Sequence, residues 1–200
     1  MTKKEEKMIS HNNNCRAYED KGYTLRDRTF SVSKGNVLGI LLPLPAVIVL
    51  WIAARVTSLM LHPEMEYNKN MLFIVILIVV LIFLHELTHG MVAAVHCKNG
   101  WKSISLGFNV EGLNPYCACS EPLSVRHYRK VLLTPMFVEG LIPIIIGVLI
   151  GNYSLICVGC LMFLCSGGDM LICLMTFKDR KDDLVIDHPY MIGYTVLSKA

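Results

Sequence analysis

MLFIVILIVVLIFLHELTHGMVAAV, residues 71–95, is the stretch that decides the fold of this 200-residue chain. Its first fourteen residues, Met71 to Leu84, are all apolar. A helix over the whole stretch would extend about 37 Å, enough to cross the ~30 Å hydrocarbon core of a bilayer. We predict a transmembrane helix here, because lipid offers no hydrogen-bonding partner to an irregular backbone.

Three further apolar blocks have membrane-spanning length, at about 37–61, 131–151 and 154–177. Hydrophobic residues make up 54% of the chain and charged residues 18%, whereas soluble domains carry about 25% charged residues. This composition excludes an ordinary soluble domain. We therefore predict an all-α membrane protein with four transmembrane helices.

The positive charges predict how the chain is oriented. Of its 19 Lys and Arg residues, 17 fall in residues 1–35, in the loop at 96–130 or after residue 177, which four crossings place on one side. Because such residues favour the cytoplasmic side, we expect both termini and this loop to be cytoplasmic. The predicted organisation is a polar tail at 1–35, a membrane domain at 36–178 and a second tail at 179–200. No cleavable signal peptide is expected, because the first apolar block begins late and is too long.

The loop after the second helix alternates between apolar and polar residues from Ile104 to Val110. Turn residues follow at 111–115, and Tyr116 to Cys119 can return as a second strand. We predict a β-hairpin at 101–120 on the cytoplasmic side. Cys117 and Cys119, with Cys97 and His96 upstream, could instead form a second metal site, but one short Cys pair lacks zinc-ribbon spacing and favours the hairpin.

The sequence His85-Glu86-Leu87-Thr88-His89 lies within the second helix. Residues four apart share a helical face, so His85 and His89 can bind one metal ion while Glu86 acts on a bound water. Ionisable side chains deep in a bilayer are costly and are rarely kept without a role. The alternative interpretation is a polar contact between helices or a proton pathway.

A catalytic zinc needs a third protein ligand, and Asp169 in the fourth helix is the best candidate. His85 and His89 lie ~21–27 Å from the outer end of their helix, and Asp169 lies ~22 Å from the outer end of its own. Asp169 could instead only orient a histidine. Glu139 in the third helix is the rival ligand, or it orients a ligand or contacts substrate. Gly167 and Gly168 allow close helix approach and are further candidates for the substrate site.

These residues predict a zinc metalloprotease. Zinc held by His85, His89 and Asp169 would activate water, and Glu86 would transfer its proton to the leaving amine. An edge strand of the hairpin could hold an extended substrate. The expected partners are the lipid bilayer and a membrane-associated peptide or protein, with no nucleic acid. The alternatives are a non-proteolytic transporter and a catalytically inactive zinc-binding scaffold.

Four motifs carry a resemblance to a known family: HELTHG at 85–90, YCACSEPL at 116–123, GGD at 167–169 and DHPYMIG at 187–193. With them, residues 70–195 resemble a small bacterial family of membrane zincin metallopeptidases, and more distantly the site-2 proteases. The resemblance implies His85, His89 and Asp169 as zinc ligands and Glu86 as catalytic base. It also implies a location in a bacterial plasma membrane.

Overall fold

The structure is a computed structural model that describes residues 3–64, 71–109, 114–188 and 191–199. It is mostly helical, as predicted. Within the described ranges, four helical segments are long and apolar enough to cross a membrane. They span Val32–Leu61, Leu72–His96, Val125–Ile150 and Tyr153–Lys178.

Only the second of these segments is one uninterrupted helix, α4 (Met71–His96). The first divides at Leu42 and Pro43 into α2 (Val32–Leu41) and α3 (Leu44–Leu61). It begins at Val32, before the predicted residue 37. The third contains α5 (Val125–Pro135), a π-helical turn (Met136–Leu141) and α6 (Ile142–Ile150). The fourth contains α7 (Tyr153–Cys165), α8 (Gly167–Met175) and a 3₁₀ turn (Thr176–Lys178).

The two end segments, predicted as polar tails, carry regular structure. The N-terminal segment forms α1 (Lys3–Glu19) and β1 (Tyr23–Phe30). The C-terminal segment forms β5 (Leu184–Asp187) and β6 (Ile192–Lys199). The sheet that these strands build was not predicted from the sequence.

This sheet has four strands in the order β1-β6-β5-β4, where β4 is Leu123–Ser124, and every pairing is antiparallel. Tyr23 pairs with Lys199, so the two end segments meet along a full strand length. Arg28 and the buried Asp179 form an ion pair of 3.1 Å that adds to this junction. The sheet thus joins the segment before the first apolar helix to the segment after the fourth.

The predicted alternation at 104–110 corresponds to a second sheet, in which β2 (Ile104–Asn109) pairs antiparallel with β3 (Asn114–Cys119). Of the predicted turn residues at 111–115, those at 111–113 lie outside the described residues, whereas Asn114 and Pro115 belong to β3 and not to a turn. Gly90 of α4 is in close contact with this hairpin, because a Cβ there would lie 3.1 Å from Ile104 and 3.5 Å from the Cys117 sulfur. The hairpin therefore packs against the part of α4 that carries the HExxH motif.

The main buried cluster lies between the four-stranded sheet and α5, with contributions from α4 and α8. Its largest fully buried side chain is Tyr194 of β6. The outer surfaces of the long helices are apolar and exposed, with Leu72 at 69%, Leu149 at 64% and Val49 at 66%. Apolar surface of this extent indicates contact with lipid or another protein.

Candidate metal centre

Three side chains from two helices converge in the interior of the helical bundle. His85 and His89 lie one turn apart on α4, and Asp169 lies in the first turn of α8. The Nε2 atom of His85 lies 3.1 Å from Oδ2 of Asp169, and Nε2 of His89 lies 3.4 Å from the same oxygen. The two Nε2 atoms are 3.2 Å apart. Both histidines are buried.

The ring of His89 is oriented by the backbone of α5. Its Nδ1–H donates a hydrogen bond of 2.8 Å to the carbonyl oxygen of Val131. This assigns the proton of the neutral ring to Nδ1 and leaves the lone pair of Nε2 facing the cluster. A backbone carbonyl is a usual partner for the second nitrogen of a metal-binding histidine.

The ring of His85 faces a carboxylate on its other side. Oε2 of the buried Glu139 lies 3.5 Å from Nδ1 of His85, at the limit of a useful interaction, and neither atom makes a closer hydrogen bond. Thr88 donates a hydrogen bond of 2.8 Å to Oε1 of Glu139 and so fixes this carboxylate. Glu139 thus faces Nδ1, whereas Nε2 of His85 joins the cluster.

The π-helical turn carries Glu139 into this position. Such turns insert one extra residue into a helix and are frequent at functional sites. The adjacent Gly140 packs against the backbone of α7, where a Cβ would lie 3.0 Å from Cα of Phe163. Close contact at Gly140 therefore holds the turn against the fourth apolar segment.

A break in the fourth segment places Asp169 beside the histidines. Ser166 separates α7 from α8 with a backbone conformation outside the helical region (ψ 4°). Gly167 then packs against α2, because a Cβ at this position would collide with the carbonyl oxygen of Gly39. A Cβ at Gly168 would meet no atom within 4 Å. Of these two predicted glycines, only Gly167 is therefore required for close approach to α2.

The donor atoms fit a zinc ion. With Nδ1–H of His89 bonded to Val131 and Nδ1 of His85 facing Glu139, two imidazole lone pairs and a carboxylate oxygen point at one another. Such an arrangement needs positive charge at its centre. Tetrahedral zinc with bonds of 2.0–2.1 Å places its ligand atoms about 3.3 Å apart, which matches the three separations observed here. Two imidazoles and one carboxylate also leave a fourth position for water.

Glu86 lies next to this cluster on α4. It is partly buried, and its carboxylate is close enough to interact electrostatically with both histidines and with Asp169. The same carboxylate lies against the backbone amide of Cys117 in β3. The hairpin therefore borders the cluster on the side where Glu86 is located.

The structure brings four predicted site residues together, namely His85, Glu86, His89 and Asp169, and sets Glu139 behind His85. These histidines and Asp169 form the one group of potential metal ligands found in the described ranges. Among the described residues, no group of three potential ligands includes Cys97, Cys117 or Cys119, so the predicted alternative of a second metal site is not found there.

Three contributors to the site were not predicted from the sequence. Thr88 holds Glu139, and the Val131 carbonyl holds His89. Tyr128 donates a hydrogen bond to Asp187 at the end of β5, and the Asp187 carboxylate is close enough to interact electrostatically with His89 and Asp169. Thr88 could have been predicted, because it lies three residues after His85 on the same helical face. No sequence signal identifies a backbone carbonyl as a partner.

The chain matches a known protein family. The sequence profile of the family described as "Putative zincin peptidase" matches residues 78–184, more than half of the chain, and the matched range contains every residue of the cluster. Searches of curated proteins and of solved structures gave no significant match. On the family match, this chain belongs to the zincin peptidase family.

Proposed function

We propose that this protein is an intramembrane zinc metallopeptidase that hydrolyses a peptide bond of a membrane-associated protein. One observation carries the proposal: His85, His89 and Asp169 direct three donor atoms at one point, at the separations of a zinc site. Glu86 supplies a carboxylate beside that point. The zincin family match supports the same chemistry.

The membrane location rests on the four apolar helical segments and their exposed apolar surfaces. The four-stranded sheet also supports four crossings of the membrane, because it needs an even number of them between its strands. It combines β1 before the first segment, β4 between the second and third, and β5 and β6 after the fourth. All of these strands must lie on one side of a bilayer. With the Lys and Arg bias, we propose that this is the cytoplasmic side of a bacterial plasma membrane.

Each residue of the centre has a role in the proposed reaction. His85, His89 and Asp169 would hold the zinc ion, which when bound supplies a Lewis acid that polarises a carbonyl and makes water more acidic. Glu86 accepts a proton from the attacking water and gives it to the leaving amine, and its position next to His85 on the helix suits both transfers. Glu139 and the Val131 carbonyl keep the histidine rings in their orientations.

The hairpin gives the proposed substrate a place to bind. Strands β2 and β3 pair with each other and with no third strand in the described part of the chain. An extended peptide can add to such an open edge through backbone hydrogen bonds. Because β3 borders Glu86 through the Cys117 amide, a strand bound there would run close to the proposed centre.

Metal analysis combined with a cleavage assay tests this proposal. The purified full-length protein in detergent micelles is compared with His85→Ala, Asp169→Ala and Glu86→Gln, using fluorescently labelled casein as the unfolded probe. We expect one zinc per chain in the wild type and in Glu86→Gln, cleavage by the wild type alone, and loss of zinc from the other two variants.

Two outcomes would overturn the proposal in distinguishable ways. A chain without stoichiometric zinc would favour the transporter interpretation of the buried polar residues. Zinc bound equally by the wild type and Glu86→Gln, with cleavage by neither, would favour an inactive zinc-binding scaffold.

A further inference from the structure

Two cysteines outside the metal centre are in direct contact. Cys97 directly follows α4, and Cys119 is the last residue of β3. Their sulfur atoms are 3.2 Å apart, although the residues are 22 positions apart in sequence. Both thiols are free and partly buried. Sulfur atoms in a disulfide are about 2.05 Å apart, so this pair needs to close by only about 1.1 Å.

Neighbouring hydrogen bonds hold the two cysteines in this position. The Glu121 carboxylate accepts hydrogen bonds from the backbone amides of Lys98 (2.8 Å) and Asn99 (3.0 Å) and from the Ser103 hydroxyl. The Ser120 amide donates a further bond of 2.9 Å to the Ser103 carbonyl. These hydrogen bonds therefore fasten the turn after α4 to the end of β3 next to the thiol pair.

We propose that Cys97 and Cys119 are a redox-active dithiol that closes to an intramolecular disulfide when a disulfide oxidant, such as oxidised glutathione, is present. This inference is independent of the proposed peptidase activity. It depends on the contact between the two sulfur atoms and on the hydrogen bonds of Ser120 and Glu121 beside them, and not on a bound metal.

The reaction is a pair of thiol–disulfide exchanges. The thiolate of Cys97 attacks one sulfur of oxidised glutathione, forms a mixed disulfide and releases glutathione thiolate, which takes up the proton that Cys97 lost. Cys119 then attacks the Cys97 sulfur as its own proton passes to the second glutathione. Two protein thiols are oxidised and one oxidised glutathione is reduced to two thiols.

The contacts of the pair determine which thiol reacts first. The Cys119 thiol donates a hydrogen bond of 3.3 Å to the carbonyl of Glu121. Burial and the neighbouring Cys97 sulfur raise the pKa of Cys119 to about 12, so this thiol stays protonated. Cys97 is therefore the attacking nucleophile and Cys119 the resolving one.

A closed disulfide would link the end of α4 to the end of β3. Helix α4 carries both histidines of the metal centre, and β3 borders Glu86 through the Cys117 amide. Oxidation would therefore fix the hairpin in its position against α4. The expected readout is slower hydrogen exchange in β2 and β3 of the oxidised protein.

Thiol counting by mass spectrometry tests the proposal on the full chain in detergent micelles. The reduced protein is incubated with oxidised glutathione, then denatured and alkylated with a maleimide. We expect the number of alkylated cysteines to fall from eight to six, with a peptide link between Cys97 and Cys119. Cys117→Ser is the matched control, because Cys117 lies two residues away on the same strand, and it should lose two thiols in the same way.

Cys97→Ser and Cys119→Ser should each abolish the link. Eight alkylated cysteines in the oxidised wild type, a link through any other cysteine, or disulfide-linked dimers would overturn the proposal. Unchanged hydrogen exchange in β2 and β3 after the link has formed would overturn its effect on the hairpin. The count and the mapped peptide link in the wild type together decide the first point, so the test does not depend on the variants folding.

Discussion

Replacing Glu139 with glutamine tests whether the carboxylate behind His85 tunes the proposed zinc site. Oε1 of Glu139 accepts the hydroxyl of Thr88 at 2.8 Å, and Oε2 lies 3.5 Å from Nδ1 of His85. Glutamine has one acceptor oxygen in place of two. It can keep the bond from Thr88, but then its NH₂ group faces His85 and no acceptor remains for the Nδ1 proton.

The expected loss concerns zinc affinity and not folding. Removing the partner of a metal-binding histidine typically weakens metal binding 10–100-fold, or by about 1.4–2.7 kcal/mol. The apo protein should lose little stability, because glutamine has the same shape as glutamate and keeps the hydrogen bond from Thr88. Thr88→Val should have a smaller effect on zinc affinity, since Oε2 of Glu139 can then still face Nδ1 of His85.

Competition with a chromophoric zinc chelator at pH 7 measures the dissociation constant, and thermal unfolding of the zinc-free protein measures stability. An affinity for zinc within twofold of the wild type in Glu139→Gln would show that Glu139 does not act through His85. Equal losses of zinc affinity and apo stability would show a general packing defect.

Three further predictions address the framework around the centre. Hydrogen bonds from Ser103, Asn99 and Lys98, in the turn after α4, lower the pKa of Glu121 from 4.5 to about 2. The stabilisation by the ionised Glu121 carboxylate should therefore be complete above pH 4.5 and disappear as the pH falls through about 2. The difference in melting temperature between the wild type and Glu121→Gln should disappear over the same pH range. Gly167→Ala should destabilise the protein by roughly 1–3 kcal/mol in thermal unfolding, whereas Gly168→Ala, which meets open space, should change stability by less than about 1 kcal/mol. Arg28→Ala removes the ion-pair partner of Asp179, whose side chain is fully buried. The free energy of unfolding, measured by chemical denaturation, should fall by roughly 2–4 kcal/mol.

The sequence was sufficient to predict features that depend on local patterns. The fourteen apolar residues from Met71 predicted α4, and the spacing of His85 and His89 predicted their shared face. Asp169 was identified from its depth in the fourth apolar block, because rise per residue in a helix is fixed. The alternation at 104–110 predicted the strand that the structure shows as β2.

Features that depend on distant partners could not be predicted in this way. Strand β6 gains its hydrogen bonds from β1, whose residues precede all four apolar segments, so no local pattern indicated the sheet. The π-helical turn at Glu139 and the break at Ser166 arise where helices pack closely at Gly140 and Gly167. Their positions depend on the neighbouring helices more than on the residues themselves.

The pairing of β1 with β6 also sets an order of events during biosynthesis. Strand β1 leaves the ribosome early, yet its hydrogen-bonding partner is translated only after all four apolar segments. Until then β1 has an unpaired edge, which is the kind of surface that aggregates or recruits chaperones. A nascent chain that stalls before β6 therefore keeps this edge exposed, and pairing of the two strands marks the point at which translation has passed the whole bundle.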